Sequence, residues 1–298
     1  MRKFTIEMPR DNEIYYKSFR YPAGEIQTRL TKLGLETLKQ SDEFEIITHD
    51  VPDLMEIAQL VDAINKVKYL IDRRLFLQYL PYGRADRRFQ EGDSYGLKVF
   101  FQLLSTIDLT SVWTFDAHNE GRSIDLAHIY GIKLVNMKPT YDPVDQIQPC
   151  LNRMRKTSGN PLLEIALISP DEGARNRYNL EKYNTPILVG EKKRDSKTGA
   201  LSGFHIDEKV KDFDAALIVD DICDGGGTFI GLAEEIRKIN PSIKLGLYVS
   251  HGIFSKGLEV LGKQFDWVFA SDYTFFEGKE DKLPYTQFKT GNEQGGIR

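Results

Sequence analysis

Leu217-Ile-Val-Asp-Asp-Ile-Cys-Asp-Gly-Gly-Gly-Thr-Phe229 decides how this chain is read. It continues a short apolar run, Ala215-Ala-Leu-Ile-Val219, of the kind found in a parallel strand buried on both faces. Paired carboxylates end the run and three glycines turn the chain. A helical stretch from Phe229 to Lys238 follows, with Thr228 near its start. Strand, glycine turn and helix form the repeating unit of an α/β fold with mainly parallel sheets.

The same alternation extends in both directions. Apolar patterning predicts strands near 3–8, 13–20, 25–31, 44–49, 75–80 and 111–115, with helices over 53–66 and 95–104. After Pro139 and Pro143 it predicts a helix over 144–156, strands over 164–169 and 186–189, and a strand over 243–250. Tyr79–Arg87 and Ile168–Arg177 echo each other weakly: each closes a strand with proline and then presents arginines. With 298 residues, two domains are expected, joined near residue 140 and spanning 1–140 and 141–298. Whether the last residues return to the N-terminal domain is left open; Thr290–Arg298 reads as frayed.

Charge excludes some functions. Lys and Arg number 40 against 44 Asp and Glu, a formal charge of -4, so a general nucleic-acid binder is not expected. Only Cys150 and Cys223 are present, without the spacing of a disulfide framework or a zinc site. No apolar run approaches the ~20 residues that span a bilayer, and no signal-peptide core opens the chain. The expectation is a cytoplasmic protein with neither a nucleic-acid nor a membrane partner.

The glycine turn has a chemical reading. Successive glycine N–H groups can curl into an anion nest, and a helix N-terminus adds donors and partial positive charge. Asp220, Asp221 and Asp224 crowd three negative charges into five positions, which hydroxyl donors or a cation would relieve. A phosphate on Gly225, Gly226, Gly227 and Thr228, with vicinal hydroxyls on the acidic pair, describes ribose 5-phosphate. A glycine turn with helix-capping aspartates is the plainer alternative.

Val219–Thr228 resembles the phosphoribosyl diphosphate (PRPP) binding motif, shared by phosphoribosyltransferases and PRPP synthetases. Four further segments resemble the ribose-phosphate diphosphokinase (PRPP synthetase) family, in that family's order. They are Pro81-Tyr-Gly-Arg-Ala-Asp-Arg-Arg88, Thr114-Phe-Asp-Ala-His118, Ser169-Pro-Asp-Glu-Gly-Ala-Arg-Asn-Arg177 and Glu191-Lys-Lys-Arg-Asp195. Tyr21-Pro-Ala-Gly-Glu25 and Ser250-His-Gly-Ile-Phe254 add smaller agreements.

The resemblance implies two similar phosphoribosyltransferase-like domains, each with a mainly parallel central sheet flanked by helices. The N-terminal one would serve ATP and the C-terminal one ribose 5-phosphate, in a reaction giving PRPP and AMP. It places Tyr21, Glu25, Arg84, Arg87 and His118 at ATP, and Asp220, Asp221, Asp224, Gly225–Gly227 and Thr228 at the sugar phosphate. His118 and Asp171 would attend Mg²⁺, and Lys192 and Arg194 would belong to a catalytic loop, read here as a mobile polar segment reaching Gly203. An adenine contact made by an aromatic residue of another subunit implies a homo-oligomer, at least a dimer.

Arg177 is read as an ordinary helix residue outside the site. Ala23, Ala85, Gly225 and Glu172 depart from the family pattern, Gly225 standing where threonine supplies a hydroxyl. Ala23 and Ala85 leave nucleotide preference open. Two rivals stay open as well: a phosphoribosyltransferase consuming PRPP, and a silent regulatory homologue.

Overall fold

The computed structural model describes residues 2–8, 11–48, 51–140, 145–194, 201–271 and 285–287. The chain divides into two units, Met1–Met137 and Lys138–Arg298.

The first unit runs β1 (Lys3–Met8), β2 (Tyr16–Arg20), β3 (Ile26–Leu30), α1 (Lys32–Lys39), β4 (Glu43–Thr48), α2 (Leu54–Val67), β5 (Asp72–Leu77), α3 (Gly96–Leu104), β6 (Ser111–Phe115), α4 (Glu120–Ile129) and β7 (Leu134–Met137). Strands β1-β4-β5-β6-β7 form a parallel sheet in that order, while β2 and β3 make a separate antiparallel hairpin. Alternate residues Phe4, Ile6, Phe44, Ile46, Leu75 and Leu77 face one core. Against them pack the apolar stripe of α2 (Ile57, Leu60, Val61, Ile64) and Leu97, Phe100, Phe101 and Leu104 of α3. Asp53 caps α2, its Oδ1 accepting from the N–H groups of Met55 (3.0 Å) and Glu56 (3.4 Å), which satisfies donors that a helix start leaves orphaned.

The second unit runs α5 (Ile147–Ser158), β8 (Ile165–Ser169), α6 (Glu172–Arg177), β9 (Ile187–Val189), β10 (Glu191–Arg194), β11 (Leu201–His205), β12 (Ala215–Cys223), α7 (Gly227–Ile239), β13 (Lys244–Gly252), α8 (Glu259–Gly262), β14 (Trp267–Ala270) and β15 (Tyr285–Gln287). Its sheet has the order β15-β14-β13-β12-β8-β9, parallel except for β15. Period-2 alternation sends Ala216 and Ile218 of β12 toward α7 (Phe229, Leu232, Ala233, Ile236) and Ala215, Leu217 and Val219 toward α5 (Cys150, Leu151, Met154). That double burial accounts for the unbroken apolar run in the sequence. Two mainly parallel sheets flanked by helices are thus present.

Two sequence expectations change. The polar segment read as a mobile loop has ordered stems: β10 and β11 pair as an antiparallel ribbon, with a register shift between Lys193 and Arg194. Residues 195–200 and 288–298, which include the rest of that segment and the tail, lie outside the described residues. Helices α1, α4 and α6 and strands β7, β14 and β15 join the elements predicted from periodicity.

Candidate functional site

Each unit carries one group of the candidate residues. In the first, the turn at Pro81–Arg88 and the end of β6 meet: a Cβ on Gly83 would lie 3.8 Å from His118 Cβ. The shared anchor is Asp86, 2% exposed. Its Oδ1 accepts from Arg87 Nε (2.9 Å), and its Oδ2 from Arg87 Nη2 (3.2 Å) and Asn119 Nδ2 (2.9 Å). Arg122, at the start of α4, donates through Nη1 to the Asp86 carbonyl at 3.1 Å. A fork held by a carboxylate has fewer geometries to explore. Burial alone would raise the Asp86 carboxyl, but hydrogen bonds from Arg87 and Asn119 and the charges of Arg87 and Arg122 hold it below its ordinary value. Arg84, Arg87 and His118 are exposed around this anchor.

The loop after β6 is also fixed. Asp116 is fully buried and adopts a left-handed φ of 47°, a conformation in which a non-glycine residue is held only by its surroundings. Asp116 N donates to Met137 O (2.6 Å), Ala117 N to Asn136 Oδ1 (2.9 Å), and Asn136 Nδ2 to Glu120 Oε1 (3.0 Å). Strand β7 thereby sets the direction in which His118 leaves β6. Tyr21 and Glu25 sit at the exposed turn of the β2–β3 hairpin, joined by a hydrogen bond from Tyr21 N to Glu25 O of 2.8 Å. That turn is tied to the start of α2 by Arg20, whose Nη2 lies 2.9 Å from Asp53 Oδ2.

In the second unit β12 ends in the acidic pair and Gly226 turns the chain into α7. Gly226 has φ 77°, and no side chain caps the helix. A Cβ on Gly226 would stand 2.8 Å from Leu261 Cδ2, so only glycine fits without displacement. Asp221 is 3% exposed, and its N–H donates to Asp220 Oδ1 at 2.9 Å. Burial first, then the charge of Asp221, pushes the Asp220 carboxyl well above its ordinary value; Arg177 pulls it back only in part. Burial, then the charges of Asp224 and Asp220, pushes the Cys223 thiol up to about 12, so it stays protonated at neutral pH and is no nucleophile.

Arg177 corrects the sequence reading. Its Nη1 lies 2.5 Å from Asp221 Oδ1 and 3.9 Å from Asp220 Oδ1, with its side chain 15% exposed. It is the counter-charge of the acidic pair and not an ordinary helix residue. The signal available was its place at the end of the Ser169–Arg177 string. Asp171 stands at the opposite end of α6, capping it through Oδ1 to Ala174 N at 2.9 Å. Lys192 and Arg194 are described by their backbone alone, in β10 opposite Phe204 and Leu201.

For a metal, the donors are sparse. Among the described residues no group of three or more His, Cys, Asp or Glu side chains is gathered to hold an ion. His118 lies in the first unit and Asp171 in the second, so within either unit the sequence reading offers a single metal donor. No helix of the described residues is long and apolar enough to cross a membrane.

Two units of parallel sheet, one ending in an acidic pair and a glycine turn, define the phosphoribosyltransferase type of α/β protein. Comparison with known proteins narrows this. No protein-family model matches the chain. A ribose-phosphate pyrophosphokinase of Pyrococcus furiosus is 27% identical over 257 residues, covering 83% of this chain and 81% of that protein. The protein of the same name from Mycoplasmopsis pulmonis is 25% identical over 232 residues, covering 76% of this chain and 66% of its own length. The crystal structure of phosphoribosylpyrophosphate synthetase from Mycobacterium smegmatis shares the fold, with a TM-score of 0.69, 16% identity, and coverage of 95% of this chain and 93% of that one. The chain is thus similar, at 25–28% identity, to proteins named ribose-phosphate pyrophosphokinase, and shares the fold of a solved phosphoribosylpyrophosphate synthetase.

Proposed function

We propose that the protein transfers the β,γ-diphosphate of ATP to the 1-hydroxyl of ribose 5-phosphate, giving PRPP and AMP. The observation that carries this reading is the uncapped, glycine-turned start of α7 directly after Asp220 and Asp221. Main-chain amides there suit the 5-phosphate, and carboxylates beside them suit the ring hydroxyls. Similarity to proteins named ribose-phosphate pyrophosphokinase supports the same reaction class.

In this reading the sugar O1 attacks the β-phosphorus, the bond from that phosphorus to the α,β-bridging oxygen breaks, and AMP leaves with that oxygen. Two polyanions must meet, so positioning and charge neutralisation dominate. Arg84, Arg87 and His118 would hold the nucleotide, with Tyr21 and Glu25 at adenine. Lys192 and Arg194 would stabilise the transferring diphosphate and exclude water. Mg²⁺, when bound, offsets phosphate charge; His118 would attend a nucleotide-bound ion, and Asp171 a second ion beside the sugar. The adenine contact across subunits makes a homo-oligomer part of the proposal, and the same reading puts the protein in the cytoplasm.

Purified protein given ATP, Mg²⁺ and ribose 5-phosphate should form AMP and PRPP in equal amounts. PRPP consumption that needs an added base would select a transferase instead, and silence in both assays a regulatory homologue.

A further inference from the structure

We propose that Lys256 completes the phosphate cup, supplying from the neighbouring strand's loop the donor that a hydroxyl side chain at position 225 would otherwise give. This rests on the reading of the β12–α7 turn as a ribose 5-phosphate site. Gly225 stands where the resemblance places threonine, and the structure shows what occupies the space. A Cβ built on Gly225 would meet Lys256 Cε at 3.1 Å, Cδ at 3.2 Å and Cγ at 3.4 Å. The stem of Lys256 therefore lies along the first glycine of the turn, where a side chain would crowd it.

That placement is built by the backbone. The N–H groups of Ile253 and Phe254 both donate to Cys223 O, at 2.9 and 3.1 Å, and Ser255 N donates to Asp224 O at 3.2 Å. Ser255 Oγ donates to Asp224 Oδ1 at 2.5 Å. Phe254, with φ 48°, and Gly257, with φ 78°, fold the segment back on itself, closed by Gly257 N to Phe254 O at 2.8 Å. The loop after β13 is thus latched along the turn after β12, and Lys256 is the side chain it lays there. Lys256 is exposed, and among the described residues no carboxylate or carbonyl takes up its ammonium.

Charge explains why a cation belongs at this spot. A phosphate entering the cup approaches Asp224 as well as the acidic pair, and Arg177 is committed to Asp221. An ammonium beside Gly225 opposes the repulsion from Asp224 and adds a charge-assisted hydrogen bond to the phosphate.

The test is calorimetric titration of ribose 5-phosphate into the wild type, Lys256→Met and Lys256→Arg, each at low and high salt. Lys256→Met keeps the stem and loses the charge. It should raise Kd at least ~10-fold and flatten the salt dependence, with an unchanged melting temperature; Lys256→Arg should stay within ~3-fold of wild type. A Lys256→Met Kd within about twofold of a wild type that binds would overturn the role of Lys256 and leave the cup standing. A wild type that does not bind ribose 5-phosphate would overturn both.

Discussion

Arg177 Nη1 lies 2.5 Å from Asp221 Oδ1, joining the end of α6 to the end of β12. The pair is largely removed from water, and breaking such a pair from one side strands a buried charge. Arg177→Gln should lower stability by about 3 kcal/mol in urea unfolding at neutral pH, with Arg177→Lys losing less. Equal stability of Arg177→Gln and wild type would dismiss the ion pair as inconsequential.

Asp220 predicts a stability that runs against function. Its folded pKa lies above its unfolded value, so its favourable contribution is full below about pH 4 and declines as pH rises toward the folded value. Asp220→Asn should stabilise the sugar-free protein at neutral pH by about 0.5–2 kcal/mol and weaken ribose 5-phosphate binding by ~10-fold. Scanning calorimetry from about pH 4 to about pH 7 checks the first part; a lower melting temperature at neutral pH counts against it.

Asp86 has the opposite sign. Its carboxyl is held below the ordinary value, so its contribution is present above about pH 4 and is lost as pH falls through the folded pKa. Asp86→Ala should cost about 1–2 kcal/mol near pH 7, chiefly because the partly buried Asn119 amide loses its acceptor while the exposed Arg87 is taken up by water. Urea midpoints at neutral and acid pH measure it, and the deficit should shrink in acid.

Two glycines separate folding from binding. Gly226→Ala forces a side chain into φ 77° against Leu261 and should cost ~1–3 kcal/mol. A Cβ on Gly227 meets nothing within 4 Å, so Gly227→Ala should leave the melting temperature unchanged or slightly raised. Any loss of ribose 5-phosphate affinity in Gly227→Ala then reports crowding at the cup itself. Intact affinity in both variants would argue against a cup of amides there.

Lys192→Ala should cut turnover by at least ~100-fold while leaving ribose 5-phosphate binding nearly intact, if the residue acts on the transferring diphosphate. Single-turnover AMP release beside an equilibrium titration separates the two. Near-normal turnover would remove Lys192 from the reaction.

Much of the fold was legible because burial leaves a periodic trace. β12 is sandwiched between helices and reads as an unbroken apolar run; α2 buries one stripe and reads as a stripe. Shorter or mixed elements left less. β14 contributes four residues, and α6 is a six-residue turn whose side chains mostly face water, so neither has a period to detect. At the candidate site, residue types fixed by backbone demands stood out, as with Gly226. Arg177 and Lys256 did not, because what places them is contact between segments far apart in sequence. Asp86 was hidden differently, inside a string of arginines that drew the eye to charge and away from the single buried acid organising it.

The antiparallel strand β15 has a consequence beyond catalysis. By pairing with β14 it occupies main-chain donors and acceptors that would otherwise line the border of the second sheet, and an uncovered border of that kind recruits strands from other molecules. Proteolytic loss of the segment around Tyr285–Gln287 would therefore move the sheet's open border from the three residues of β15 to the four apolar-rich residues of β14 and favour self-association, even where every proposed ligand contact survived.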